Sequence, residues 1–307
     1  MPISLRTRLQ QRAELTQRVR SFFHARGVLE IDTPVLQGGA NLDYGVVPFR
    51  LCDGKTVRFL PTSPEHALKR LIAAGIGDCW TLAPAFRSGE NGQRHAPEFR
   101  MLEWYRLGWD DHALADEVIA LFAVITGRPP TAERLTWRNA FRLHAHLDPV
   151  TASIEDLHRQ LGTDAGVVGH DRAAALDLIL TRDIEPHLGR GVWTIMTDYP
   201  ASACAQARIR SDADGMPVAA RFEIYGDGIE LANGYHELTN AAELKQRHQQ
   251  ELATRSNGEQ LDESFHHAMQ RGLPDCAGVA VGFDRLVMIA LGLQQIADTQ
   301  AIPWNDA

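Results

Sequence analysis

A chain of 307 residues with 44% apolar and 23% charged side chains has the make-up of a soluble globular protein, long enough for one large or two medium domains. Its 31 Lys and Arg against 39 Asp and Glu give a net charge of -8, so a long phosphate backbone would have to bind against the field of the protein. No apolar run approaches ~20 residues and the opening MPISLRTRLQQRAEL lacks a signal core, which excludes a transmembrane helix and reads as a cytoplasmic chain with no membrane partner.

From residue 5 to about 26, Leu5, Leu9, Val19, Phe22 and Phe23 recur on a helical period, and Gly27 is placed to end the helix. Arg6, Arg8, Arg12, Arg18, Arg20 and Arg26 share it with Glu14 alone as an acid, the pattern of a solvated face or of a site for an acidic partner. VLEIDTPVL follows as a β-rich run stopped at Pro34. After the turn at Gly38-Gly39, short strands around 46–51 and 57–60 lead to Thr62-Ser63-Pro64-Glu65, which opens a helix ending near Gly75. Thr62-x-x-Glu65 reads as a capping box, and a Glu there can also face a ligand.

Trp80 to Phe86 and Glu98 to Leu107 read as two strands of a long hairpin, with Gly89, Gly92 and Pro97 punctuating the loop between them. Alternation along the second strand puts Phe99, Met101, Glu103, Tyr105 and Leu107 on one face, so Glu103 interrupts an apolar stripe. Phe99 and Glu103 lie roughly 13 Å apart, a span that suits a ligand with a ring at one end and a cation at the other. The alternative is a core Glu103 paired with an arginine. Arg87, Arg94 and His95 add cationic donors beside Phe99, where a base could stack and phosphate oxygens could be gripped.

Residues 110 to 192 read as a mostly helical insertion in a single domain spanning 1–307, with helices marked by Leu114 to Ile125, by Ser153-x-x-Asp156 and by Arg172 to Ile184. Beyond it, RFEIYGDGIELANGYHEL is a hairpin turning at Gly226-Asp227-Gly228. Glu223 faces Glu230 directly if Gly226-Asp227 is the loop and diagonally if Asp227-Gly228 is. Either register puts both carboxylates on one face, which calls for a cation such as Mg²⁺ or for side chains that diverge into water. His266-His267, in a polar stretch with no HExxH nearby, is expected on a solvated helix surface. Cys52, Cys79, Cys204 and Cys276 form no CxxC pair, so neither a zinc knuckle nor a disulfide framework is expected. Gly278-Val-Ala280-Val-Gly282-Phe-Asp284-Arg285 closes the series as a glycine-interrupted strand entering a helix, Asp284 to Leu293, with Arg285 placed to reach a phosphate.

FRSGE followed by His95-Ala96-Pro97-Glu98-Phe99 resembles motif 2 of the class II aminoacyl-tRNA synthetases, most closely the lysyl enzymes. The opening helix, strand and Pro34 resemble motif 1, TSPE-H-x-x-K-R resembles the segment that holds the substrate amines, and the closing glycines with Arg285 resemble motif 3. The implied fold is α+β, a mostly antiparallel sheet flanked by helices. The resemblance implies that Arg87 and Arg285 are catalytic, and that ATP is bound by Arg87, Glu90, His95, Phe99, Glu230, Leu231, Gly282 and Arg285. It further implies a diamino-acid site of Ser63, Glu65, Glu103, Tyr105, Asn233, Glu237 and Ala280, with Mg²⁺ on Glu223 and Glu230. The sequence departs from the lysyl pattern at Gly89, where the family glutamate stands one residue before Glu90, at Ala96, and at Ala280, where lysyl enzymes carry Gly.

Catalytic elements begin too early in the chain to leave room for an anticodon-reading barrel. Together with Ala280 this resembles the elongation factor P β-lysine ligase family, which joins (R)-β-lysine to a lysine of elongation factor P. The resemblance implies a homodimer through motif 1 and no stable tRNA binding; a truncated lysyl-tRNA synthetase-like enzyme and a non-catalytic regulatory paralogue are the alternative readings.

Overall fold

The computed structural model describes residues 4–43 and 45–306. In chain order the first elements are α1 (Leu5–His24), β1 (Leu29–Glu30), β2 (Arg50–Asp53), β3 (Thr56–Phe59), α2 (Glu65–Ala73), β4 (Cys79–Phe86), β5 (Glu98–Leu107) and α3 (Asp111–Thr126). Then come β6 (Ala132–Thr136), α4 (Trp137–Ala140), α5 (Ile154–Leu161), α6 (Ala165–Val168), α7 (Arg172–Ile179), β7 (Trp193–Pro200), β8 (Ile209–Ser211), β9 (Pro217–Gly226) and β10 (Ile229–His236). The chain ends with α8 (Ala241–Ala253), α9 (Glu263–Arg271), β11 (Cys276–Gly282) and α10 (Phe283–Leu291). The class is α+β. Antiparallel pairing dominates, the parallel exceptions being β1 with β4 and β6 with β7.

Two compact units make up the chain: residues 1–130, 205–208 and 234–307 form one, and 131–204 with 209–233 form the other. In the first, the strand order is β1-β4-β5-β11. Leu102 and Trp104 of β5 are fully buried on one face, where Phe23 of α1 stacks on Trp80 at 4.9 Å and meets the edge of Trp104 at 5.2 Å. Trp104 also donates its indole N–H to Glu117 of α3 at 3.0 Å, so the ring's polar edge is satisfied inside the core. The opposite face of β5 carries Phe99, Met101, Glu103 and Tyr105.

The arginines of α1 are neither an idle solvated face nor a site waiting for a foreign acid. Arg8 pairs with Asp298, Arg12 with Asp284, Arg20 with Glu30 and Arg26 with Glu117, while Arg18 donates to the last-turn carbonyls of α3 at Val124 and Ile125. β1 is shorter than VLEIDTPVL suggested: after the Ile31 N–H reaches the Trp80 carbonyl, the approach to Pro34, which has no N–H to donate, ends the ladder. The closing helix ends at Leu291 rather than Leu293, because Gly292 turns left-handed at φ 65° and caps it.

His266 also departs from expectation. It is 2% exposed, with its edge against His248 and Phe265, while His66 stacks flat on Phe265 at 4.0 Å. Only the neighbouring His267 meets solvent. The pair straddles the boundary of an amphipathic helix whose apolar face is Phe265, Ala268 and Met269.

In the second unit β10-β9-β7-β6 is the strand order, with β8 on β9. Helices occur where the sequence marked them: α5 opens with a Ser153/Asp156 capping box, and Asp171 caps α7. The hairpin turn between β9 and β10 is Asp227-Gly228, with φ of 54° and 74°. Two successive left-handed residues make the turn whose twist matches antiparallel strands, which selects the diagonal arrangement of Glu223 and Glu230.

Candidate active site

On this face of β5 the large side chains stand opposite small residues of the neighbouring strands. Phe99 stands opposite Ala85, Met101 between Ala83 and Gly282, Glu103 between Thr81 and Ala280, and Tyr105 between Cys79 and Gly278. Directly opposed residues share a face, so small side chains flank the large ones on this side of the sheet. One end is closed, since Tyr105 packs with Leu68 and Ile72 of α2, Leu244 of α8 and Phe265 of α9. At the other end Phe99 is half-buried, with the Arg87 guanidinium 5.3 Å from its ring centroid.

The closed end holds an acid cluster. Glu103 is 2% exposed; its Oε1 accepts the Tyr105 hydroxyl at 2.9 Å, and its Oε2 is buried with no hydrogen bond. Nearby the Lys69 ammonium sits between Glu65 Oε1 at 2.5 Å and Glu237 Oε2 at 2.6 Å, and donates to Gln206 at 3.1 Å. Burial works against the charge on Lys69, but Glu237 and Glu65 outweigh it and raise its pKa. Burial, and then the charge of Glu65, pushes the Glu103 carboxyl well above the usual carboxylate range. Burial likewise pushes Glu237 up to about 7, with Lys69 pulling the other way. Three carboxylates facing one internal cation make a site that gains from further positive charge.

α2 starts differently from the capping-box reading. Its N-cap is Pro64, which offers no side-chain bond, and the Thr62 hydroxyl is buried and unbonded. Ser63 Oγ accepts the Glu65 N–H at 3.1 Å instead, freeing the Glu65 carboxylate to turn inward to Lys69 one helical turn on. Gly278 is required by close approach: a Cβ there would run into the Tyr105 ring and come within 2.6 Å of Glu237 Oε1. Ala280, opposite Glu103, tolerates its methyl and brings it beside the acid.

Cationic groups gather toward the Phe99 end. Arg87 donates to the Thr62 carbonyl at 3.4 Å and lies 3.7 Å from Glu90, its partner across one turn of the loop. Arg285, in the first turn of α10 beyond Gly282, donates to the Arg94 carbonyl at 3.2 Å. Burial, and then the nearby Arg285 charge, lower the pKa of His95. The base of this loop is fixed from below, where Asp284 accepts the Arg100 N–H at 2.7 Å while pairing with Arg12 at 2.5 Å.

Glu223, Glu230, Leu231 and Asn233 belong to the second unit. Glu223 is buried, with Oε1 held by Arg221 at 2.5 Å and Oε2 by the Tyr225 hydroxyl, and Arg221 in turn lies over the Tyr199 ring at 4.4 Å. Glu230 is half-buried, Leu231 is buried, and the Asn233 side-chain oxygen is buried without a hydrogen bond. No group of three or more metal-ligating side chains occurs among the described residues. A hard cation that takes most of its oxygens from phosphate and water needs only one or two carboxylates, and each Glu223 oxygen keeps a second lone pair, so the donor set fits Mg²⁺.

Sequence reasoning missed Lys69 and Gln206 as parts of the cluster. Lys69 stands one helical turn after Glu65, a spacing that by itself is as common on a solvated face; Gln206 carried no local signal, since tertiary folding alone brings it to α2.

Residues 3–306 match the family described as tRNA synthetases class II (D, K and N). The chain is 40% identical over 322 residues to the Elongation factor P--(R)-beta-lysine ligase of Vibrio cholerae serotype O1, covering all of this chain and 98% of that protein. It is 39% identical over 314 residues to the protein of that name from Yersinia enterocolitica, covering 97% and 95% of the two chains. With the Salmonella gallinarum protein of the same name it shares 40% identity over 314 residues, again 97% and 95%. The acid cluster beside β5 and these near full-length matches have one reading: the chain belongs to the class II tRNA synthetase family, in the branch of the elongation factor P–(R)-beta-lysine ligases.

Proposed function

We infer that this chain is an ATP-dependent ligase that activates (R)-β-lysine as an adenylate and passes it to a lysine side chain of elongation factor P. The observation that carries the reading is the buried, unbonded Glu103 Oε2 beside the Glu65–Lys69–Glu237 cluster. A desolvated carboxylate short of a donor is costly in an empty fold and favourable when an ammonium arrives.

The adenine stacks on Phe99, with Glu90, Leu231 and Gly282 beside the nucleotide and His95, Arg87 and Arg285 along the phosphates. Glu65, Glu103, Tyr105, Glu237 and Asn233 orient the diamino acid, with Ser63 fixing Glu65 and Ala280 shaping the wall at Glu103. The substrate carboxylate attacks the α-phosphate, and Arg87 and Arg285 stabilise the charge that develops as pyrophosphate leaves. A neutral protein lysine then attacks the adenylate carbonyl and AMP departs. Glu223 and Glu230 would hold Mg²⁺, which would supply neutralising charge to the phosphate oxygens.

The enzyme is a homodimer in this reading, joined along α1, β1 and the segment that follows, where Leu29 is 50% and Leu36 58% exposed. Among the described residues no helix is long and apolar enough to cross a membrane. The test offers purified protein ATP, Mg²⁺, elongation factor P and each lysine isomer, and weighs the product. Addition of one lysyl unit, faster with the (R)-β isomer, is expected; unmodified elongation factor P with both isomers sinks the reading.

A further inference from the structure

The loop that joins β1 to β2 carries an acid that the reading above leaves unused. Its two ends are anchored beside the two poles of the substrate site. Gly39 packs directly on the backbone of Asp262, whose carboxylate lies 3.4 Å from His66, the residue after Glu65. Val47 accepts the N–H of Ser88, the residue after Arg87, at 2.8 Å. Asp43 lies on the stretch between these two anchors, one on the side of Glu65 and the other on the side of Arg87.

This stretch is fixed by backbone rather than by the Asp43 side chain. Arg255 donates to the carbonyls of Asp43 and, at 2.7 Å, of Val46, and Ala40 donates its N–H to Gln260 at 3.1 Å. Ala40 and Leu42 are buried against Phe59 in a small core of their own. Between them Asn41 is 1% exposed with neither amide atom hydrogen-bonded. The described residues of the loop are thus anchored through the backbone, while the buried Asn41 amide is short of polar partners. The Asp43 carboxyl is also raised in pKa, by burial first and then by the charge of Glu65, with Arg87, His66 and Lys69 opposing.

We propose that Asp43 is a further specificity-determining residue, an acid that receives a substrate ammonium lying between the Arg87 and Glu65 poles. This rests on the ligase reading and deepens it. A 3-amino acid carries its ammonium one carbon farther from the carboxyl than a 2-amino acid, so an acid partway along that stretch favours the β isomer. It is a distinct contact from those of Glu103 and Glu237, which sit beyond Glu65 at the closed end.

The experiment compares wild type with Asp43→Asn, which preserves shape and the backbone anchors. Binding of (R)-β-lysine and of α-lysine is measured by calorimetry without ATP, and pyrophosphate exchange gives KM and kcat for each. Wild-type exchange with (R)-β-lysine tests the ligase reading; the variant's isomer ratio speaks to Asp43. Expected is a loss of about tenfold or more in (R)-β-lysine affinity, mirrored in KM, from removing one charge-assisted contact. The kcat, the KM for ATP and the α-lysine affinity stay within about twofold. Equal losses for both isomers, no loss for either, or a change confined to kcat or to ATP overturns the proposal. Asp43→Ala serves as the second variant, and thermal melting confirms that both remain folded.

Discussion

Glu103 is held where a carboxylate is least comfortable, 2% exposed with one oxygen bonded to Tyr105 and the other to nothing. Glu103→Gln keeps the shape and the Tyr105 contact while removing the buried charge. It is therefore expected to melt at the same temperature or higher, and to raise KM for the diamino acid by about tenfold or more with KM for ATP unchanged. A KM for lysine that stays at the wild-type value contradicts the role. Gly278→Ala sets a contrasting expectation: its methyl must displace the Tyr105 ring and Glu237, so it costs about 1–3 kcal/mol in stability, read by urea denaturation, as well as substrate affinity. Glu103 was legible in the sequence because strand periodicity alone shows an acid in an apolar stripe. Its hydrogen bond to Tyr105 was not read from the sequence, which placed the two on one face and offered an arginine as the partner in a core. Lys69 was not, because a lysine on a helix is ordinarily solvated, and only the fold buries this one between Glu65 and Glu237.

The packing of α2 against α8 and α9 depends on histidines that must stay neutral. Burial lowers the pKa of His248 to about 2, with His66 and His266 adding to it, and burial lowers His266 to about 4, both from an ordinary 6.5. Their Nδ1 and Nε2 atoms meet at 3.3 Å, a contact that needs one ring to accept. Lys69, Lys245 and Arg247 also oppose protonation there, whereas Asp262 and Glu263 favour it. In the unfolded chain both rings take up protons near 6.5, in the fold far lower, so the unfolded state binds more protons below pH 6.5. Stability is full above that pH and falls as pH drops from 6.5 toward 4. Replacing His266 with Phe should flatten that dependence, measured as melting temperature between pH 5 and 7; an unchanged slope counts against the cluster as its source. The β4–β5 hairpin, by contrast, was readable almost to the residue, because alternation, loop glycines and strand length agree locally. The ion pairs of α1 were not, since Arg8 and Arg12 find acids more than 270 positions away.

At the scale of the whole chain, charge decides what large partners are open to it. The net charge of -8 already opposes a polyphosphate, and the basic side chains that could form a local exception are largely committed within their own units. Arg8, Arg12, Arg20 and Arg26 of α1 each face an acid, and in the second unit Arg138 and Arg142 share Asp148 while Arg182 pairs with Asp164 and Asp183. An arginine already holding a carboxylate at such distances releases little counterion when a phosphate approaches, so it adds little to affinity. On the proposed reading, adenylate formation and tRNA recognition are separate in this chain. Bulk tRNA added at about 0.15 M salt should leave (R)-β-lysine-dependent pyrophosphate exchange unchanged and accumulate no aminoacyl-tRNA. Elongation factor P should instead consume the adenylate and release AMP. Retention of tRNA on a filter at that salt, with a steep loss of binding as salt rises, would show that a basic surface had formed despite these pairings and would return the chain to the synthetases proper.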